Sequence, residues 1–161
     1  SSAHQFTDCV FANAIGSTKN FFRKEQILAR TGITDERFET LIHPAAVVSP
    51  RAHIGHGVTI FQGVSIASGV QVGKHTTILS GSIFGHDGVI GDYGSVAAGV
   101  VVAGRTKIGK SCYLGSNCTI IGEIKIGDYA MVGMAAAVIR DVEPNSTVVG
   151  NPAHVIAKRE P

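Results

Sequence analysis

IGHGVTIFQGVSIASGVQVGKHTTILSGSIFGHDGVI, residues 54–90, places a large apolar residue at every sixth position. Ile54, Ile60, Ile66, Val72, Ile78, Phe84 and Ile90 carry this beat. It runs on without a slip, back to Ile42 and Val48 and forward through Val96, Val102, Ile108, Leu114, Ile120, Ile126 and Val132 to Val138. At the chain's 44% apolar content, seventeen successive hits would arise about once in a million independent draws. A slower beat lies on top. Gly55, Gly73, Gly91, Gly109 and Gly127 recur every eighteen residues. Three hexapeptides therefore close one coil, and a glycine turn followed by a polar residue marks one corner of each.

Positions two before each large apolar residue are mostly small or β-branched, as at Ala46, Ala52, Val58, Val64, Val70, Thr76 and Ser82. Small side chains there let coils stack at strand spacing, about 4.8 Å. A period of six is a multiple of the strand period of two and clashes with the helical 3.6. The pattern predicts an all-β fold, a parallel β-helix shaped as a three-faced prism, over residues 41–140.

The flanks read differently. Residues 1–40 are expected to form a short α/β N-terminal appendage: a strand over 6–15 closed by Gly16, then a helix over about 19–31. Ser17 or Thr18 would cap that helix, and Phe22, Ile27 and Leu28 would face the core. Pro144 and the Gly150-Asn151-Pro152 turn stop the repeat. Residues 141–161 are expected to pack back on the prism.

Composition narrows the function classes. The formal net charge of the 161 residues is +2, which supplies no basic field for nucleic acid. No apolar run approaches the ~18 residues of a membrane span, so no membrane insertion is expected. Cys9, Cys112 and Cys118 lack metal-type spacing and suit a reducing cytoplasm, with the last two as buried fillers. Of the seven histidines, His86 stands out. The others (His4, His43, His53, His56, His75 and His154) read as exposed and structural.

The stretches IHPAAVVSP, IFGHDGVIGDYGSVAAGVVVAG, IGKSCYLGSNCTI and VVGNPAHVI resemble the hexapeptide-repeat acyltransferases. Within them they are similar to bacterial sugar acetyltransferases, a group with sialic acid O-acetyltransferases and UDP-4-amino-sugar N-acetyltransferases. NAIGSTKNFFRK resembles the end of the nucleotide-binding subdomain of that group. The resemblance implies a left-handed helix and a homotrimer with acetyl-CoA in the groove between prisms. It also implies a sugar or nucleotide-sugar acceptor, no metal, and a cytoplasmic role in cell-surface polysaccharide biosynthesis.

By the same resemblance His86 is the general base, Asp87 raises its basicity, and the backbone N–H of Gly104 faces the thioester carbonyl. Stacking at eighteen residues places Gly104 and then Gly122 above His86, where absent side chains expose backbone amides. An imidazole, ordinarily titrating near pH ~6.5, suits proton abstraction at cellular pH. A neighbouring carboxylate orients it. Direct transfer of this kind needs no acyl-enzyme. Candidate cofactor contacts are Ser95, Gly104, Ser116, Gly122, Lys125 and Met134, with Lys125 stacked on Lys107 toward the 3′-phosphate and Ser116 and Met134 on a neighbouring wall.

The chain departs from similar N-acetyltransferases at two places. Ser95 stands nine residues past His86, where some carry a second histidine, and Leu79-Ser80 stands where they have an Asn-Thr pair. N-acetylation is the preferred reading, sugar O-acetylation the alternative, and a non-catalytic trimeric scaffold the third. A hexapeptide-type zinc site is disfavoured, because no two histidines are five residues apart.

Overall fold

The computed structural model describes residues 8–159. Two-residue strands alternate with tight turns along the repeat and stack in register into three parallel sheets. Face I stacks Leu41–Ile42, Thr59–Ile60, Thr77–Ile78, Ser95–Val96, Tyr113–Leu114 and Met131–Val132. Face II stacks Val47–Val48, Ser65–Ile66, Ile83–Phe84, Val101–Val102, Thr119–Ile120 and Ala137–Val138. Face III stacks His53–Ile54, Gln71–Val72, Val89–Ile90, Lys107–Ile108 and Lys125–Ile126. Partners lie eighteen residues apart, as the glycine beat requires.

In each strand the second residue points inward. From Ile60 to Val138 every member of the six-residue beat is buried, whereas Ile42, in the first coil with no coil beneath it, is exposed. Burying one such side chain contributes roughly 1.5–3 kcal/mol, so the column is the main source of stability. The small positions two before the beat fill the corners. Thr76, Ser82 and Thr106 are fully buried there and bond to carbonyls such as Gly91 O, Ala97 O and Ile121 O at 3.0 Å each. Their hydroxyls stitch successive coils and leave no unpaired donor.

The recurrent glycines are required by close approach, not by backbone dihedral. A methyl group on Gly73 would lie 2.4 Å from Asp92 N, and one on Gly91 2.6 Å from Lys110 N. The left-handed residue comes two positions later, at His75, Tyr93, Ser111 and Tyr129, with φ of 56°, 61°, 50° and 59°.

The N-terminal part departs from expectation. Instead of a strand, the described residues of 6–15 form an extended strap over face I, with one isolated bridge between Phe11 and Phe38. Residues 6 and 7 of the expected strand lie outside the described residues. The helix is shorter than expected: a 3-10 turn over Phe21–Arg23 leads into Lys24–Ala29. Neither Ser17 nor Thr18 caps it, since its flanking residues make no side-chain cap bond. Its buried face is Phe21, Lys24 and Leu28, with Phe22 and Ile27 only half-buried. After the repeat, Ser146–Val149 extends face I in parallel, and His154–Lys158 folds back on it antiparallel.

Candidate active site

The corner between faces II and III carries His86 and Asp87. Asp87 is left-handed at φ 57°, which turns its carboxylate back toward its neighbour. Asp87 Oδ2 lies 3.0 Å from His86 Nδ1. An ionised carboxylate only accepts, so beside one Nδ1 is the ring's donor and Nε2 is left for another partner. The side chains are 56% and 63% exposed, so the pair is open to a substrate.

One coil up, Gly104 lies against the imidazole. A methyl group built there would come within 2.9 Å of His86 Nε2 and 3.1 Å of His86 O. On the next coil Gly122 packs in turn on Gly104, since its methyl would lie 2.8 Å from Gly104 O. The N–H groups of Gly104 and Gly122 donate to no protein acceptor among the described residues, while Arg105 N and Glu123 N bond back to His86 O and Gly104 O. An exposed imidazole and uncommitted amide donors thus share one edge, an arrangement that acyl transfer from a thioester can use. The exposed Arg105–Glu123 ion pair stands above Asp87.

The remaining sequence candidates fall elsewhere. Lys125 points outward from face III beside Lys107, near the His86 edge. Ser116 and Met134 lie on the corner between faces I and II, across the full width of face II from His86; Met134 is 78% exposed. One protomer therefore cannot bring them to the same groove as His86. Ser95 is 5% exposed on face I under the strap, where a methyl on Gly16 would reach within 3.2 Å of its Oγ. It lines a cavity of about 400 Å³ between the strap and face I, together with Leu79. The two positions at which the chain departs from similar N-acetyltransferases thus meet in one cavity.

Sequence reasoning missed a second cluster. His75 was expected to be exposed, yet it is 1% exposed at the corner between faces III and I. Tyr93, stacked one coil above, and Phe38, edge-on, enclose its ring at 5.5 and 4.7 Å between centroids. Its Nε2 meets Asp35 Oδ1 at 2.9 Å, and Lys74 Nζ meets Asp35 Oδ2 at 2.7 Å. Lys74 first, then His75, holds the Asp35 carboxyl below its ordinary range. Nearby, Lys24 is fully buried, donating to Thr77 Oγ1 at 3.1 Å and Gly94 O at 3.3 Å. Burial pushes its amine down to about 7. The available signal was the eighteen-residue spacing that stacks Tyr93 on His75. Cys112 and Cys118 are buried fillers, as expected, with thiols pushed by burial up to about 12.

No protein-family model matches the sequence, and no curated protein sequence matches it. Solved structures do. A histidine variant of perosamine N-acetyltransferase from Caulobacter crescentus, in complex with CoA and GDP-perosamine, superposes with a TM-score of 0.88 at 25% identity, over 98% of this chain and 75% of that one. WeeI from Acinetobacter baumannii AYE matches at 0.78 and 28% identity, over 85% of this chain and 67% of that one. Perosamine N-acetyltransferase, WeeI and PglB are hexapeptide-repeat sugar acetyltransferases. The acetyltransferase domain of PglB from Neisseria gonorrhoeae FA1090, in complex with acetyl coenzyme A, shares the fold at 0.79 and 24% identity, over 85% of this chain and 67% of that one. The neighbours are acetyl-CoA-dependent enzymes. Among the described residues no three His, Cys, Asp or Glu side chains converge as metal ligands, and no helix is long and apolar enough to cross a membrane.

Proposed function

We propose that this chain acetylates the amino group of a nucleotide-linked sugar, with acetyl-CoA as donor and His86 as general base. The observation that carries the reading is the His86–Asp87 pair, with Nε2 held against the side-chain-free Gly104. The acceptor amine attacks the thioester carbonyl, and His86 Nε2 takes the amine proton. Asp87 holds the proton on Nδ1 and stabilises the resulting imidazolium. The Gly104 N–H donates to the oxyanion as it develops. The intermediate then expels the CoA thiolate, which takes the proton back from His86 Nε2.

A homotrimer completes this site. Face II turns Val47, Ile83 and Val101 outward, with Ser65 and Thr119 between them and the exposed Ile139 just past its last strand, whereas face III carries Lys107 and Lys125. Packing face II around a three-fold axis sets the corner bearing Ser116 and Met134 of one copy beside the His86 corner of the next. The pantetheine arm lies between them, with Lys107 and Lys125 toward the CoA phosphates. Gly122 continues the line of free amides along the arm.

The test is acetyl transfer from acetyl-CoA to UDP- and GDP-linked amino sugars, followed by release of the CoA thiol. Thiol release with stoichiometric N-acetyl product supports the reading. CoA binding with no transfer to any amino sugar would leave a scaffold. Light scattering in solution at three times the chain mass supports the trimer, and a monomer contradicts it.

A further inference from the structure

The left-handed position of the corner between faces II and III repeats up the prism as Gly69, Asp87, Arg105 and Glu123, with φ of 74°, 57°, 59° and 67°. Each of the last three is tied to the coil below. Asp87 N donates to Ser68 O at 3.0 Å, Arg105 N to His86 O at 2.8 Å and Glu123 N to Gly104 O at 3.1 Å. Their side chains therefore start about 4.8 Å apart on one line. The Asp87 carboxylate leans down over Gly69, where a Cβ would overlap its Oδ1, while its Oδ2 meets His86 Nδ1. Arg105, one coil up, has a stem long enough to reach that carboxylate but does not take it. Its Nε donates to Glu123 Oε1 at 2.8 Å, and its Nη2 meets the same oxygen. Among the described residues His86 is the one ion-pair partner of Asp87, and Glu123 that of Arg105.

The other charges on this edge stand farther off or are engaged. Arg51 lies two coils below Asp87 and Arg140 two coils above Gly104, and Lys107 and Lys125 point outward from face III. Asp141 accepts from Lys125 N at 2.8 Å. In the proposed trimer the turns 79–82 and 97–100 of the next copy, at the same height, carry no ionisable side chain.

We propose that Glu123 is a positioning residue for the His86–Asp87 pair: it holds the Arg105 guanidinium on the coil above, so that the Asp87 carboxylate stays with the imidazole. The inference rests on His86 as the proposed base and adds a residue pair that acts through Asp87. The reason is competition. Without Glu123, the anion nearest to Arg105 is Asp87, and a guanidinium fork binds a carboxylate better than a neutral imidazole N–H does. His86 would then lose the carboxylate that orients it and gain a cation close by. Both changes disfavour the imidazolium. Removing Arg105 instead leaves Glu123 as an unpaired anion two coils above Asp87, which favours the imidazolium. Removing both restores a neutral edge. The two side chains are 58% and 64% exposed, so the pair contributes little to folding.

The full chain, Glu123→Gln, Arg105→Ala and the double variant test this at low ionic strength, where surface charges are least screened. Ring NMR follows the titration of His86, identified by the signal that His86→Ala removes. Its midpoint should fall by about half a pH unit in Glu123→Gln, rise by a smaller amount in Arg105→Ala, and return to within about 0.2 units of the parent in the double variant. The kcat for transfer from acetyl-CoA to a GDP-linked amino sugar should fall roughly fivefold in Glu123→Gln and recover in the double variant. A merely structural ion pair would give neither opposed shifts nor rescue. One midpoint common to all four proteins, or a double variant as slow as Glu123→Gln, overturns the inference. If transfer depends on His86 and the midpoints do not move, only the positioning role falls. If the midpoints move as stated and no amino sugar is acetylated, the charge arrangement stands and the acetyltransferase reading falls.

Discussion

His75 and His86 each meet an aspartate, at 2.9 and 3.0 Å, and the rest of their surroundings differ in every respect. His75 is closed in by Phe38, Tyr93 and the strap, and its partner Asp35 is shared with Lys74. His86 stands at an open corner, its Nε2 unclaimed beside a glycine. The same pair of residue types therefore serves as a fastener at one corner and as a candidate base at another. Residue type and carboxylate distance do not separate the two. What separates them is which elements cover the ring.

Replacing each histidine should move a different quantity. His86→Ala should lower kcat by at least ~100-fold, with unfolding midpoint and oligomer size unchanged, because that side chain is mostly exposed. Turnover within threefold of the parent would remove His86 from the mechanism. His75→Ala should instead cost about 2–3 kcal/mol of stability, by losing a buried hydrogen bond and a packed ring. Chemical denaturation reads this directly. His75→Asn should recover part of the loss, since Asn tolerates the left-handed backbone. Equal stability in all three proteins would contradict the fastening role.

Lys24 sharpens the picture of the closed corner. Burial lowers its amine from 10.5 to about 7, so the fold disfavours the charged form. The penalty is full below about pH 7, shrinks as pH rises toward 10.5, and is absent above. Stability should therefore rise with pH across that window, by up to ~1.4 kcal/mol per unit. Lys24→Met should flatten that slope and be more stable than the parent at pH 7. A Met variant that keeps the slope would assign it elsewhere.

Gly104→Ala is the smallest of these changes. Its methyl would press on His86 Nε2, which is the end of a mobile side chain, and on His86 O. Displacing the imidazole should cost about tenfold or more in kcat. An unaffected kcat would mean that the imidazole works from another rotamer.

Much of this was legible in the sequence for a definite reason. In a stacked coil each residue's neighbours are fixed by arithmetic, so Ile60, Ile78 and Val96 declared their partners in advance, and so did His86 and Gly104. The strap follows no such arithmetic. Lys24, which no sequence pattern singled out, is fully buried, while Phe22, expected inside, is only partly covered. His75 sits in the repeat, but its burial comes from Phe38 and Asp35, outside the repeat. Ser95 was legible as a position that matters but not as a cavity wall, because Gly16 arrives from the strap.

A crystal structure of the oligomer with acetyl-CoA tests the central claim most directly. The account predicts the thioester carbonyl within about 3 Å of the Gly104 N–H, beside His86 Nε2, with Ser116 of a second copy across the groove. A thioester held at a different edge of the prism, out of reach of residue 86, would contradict it.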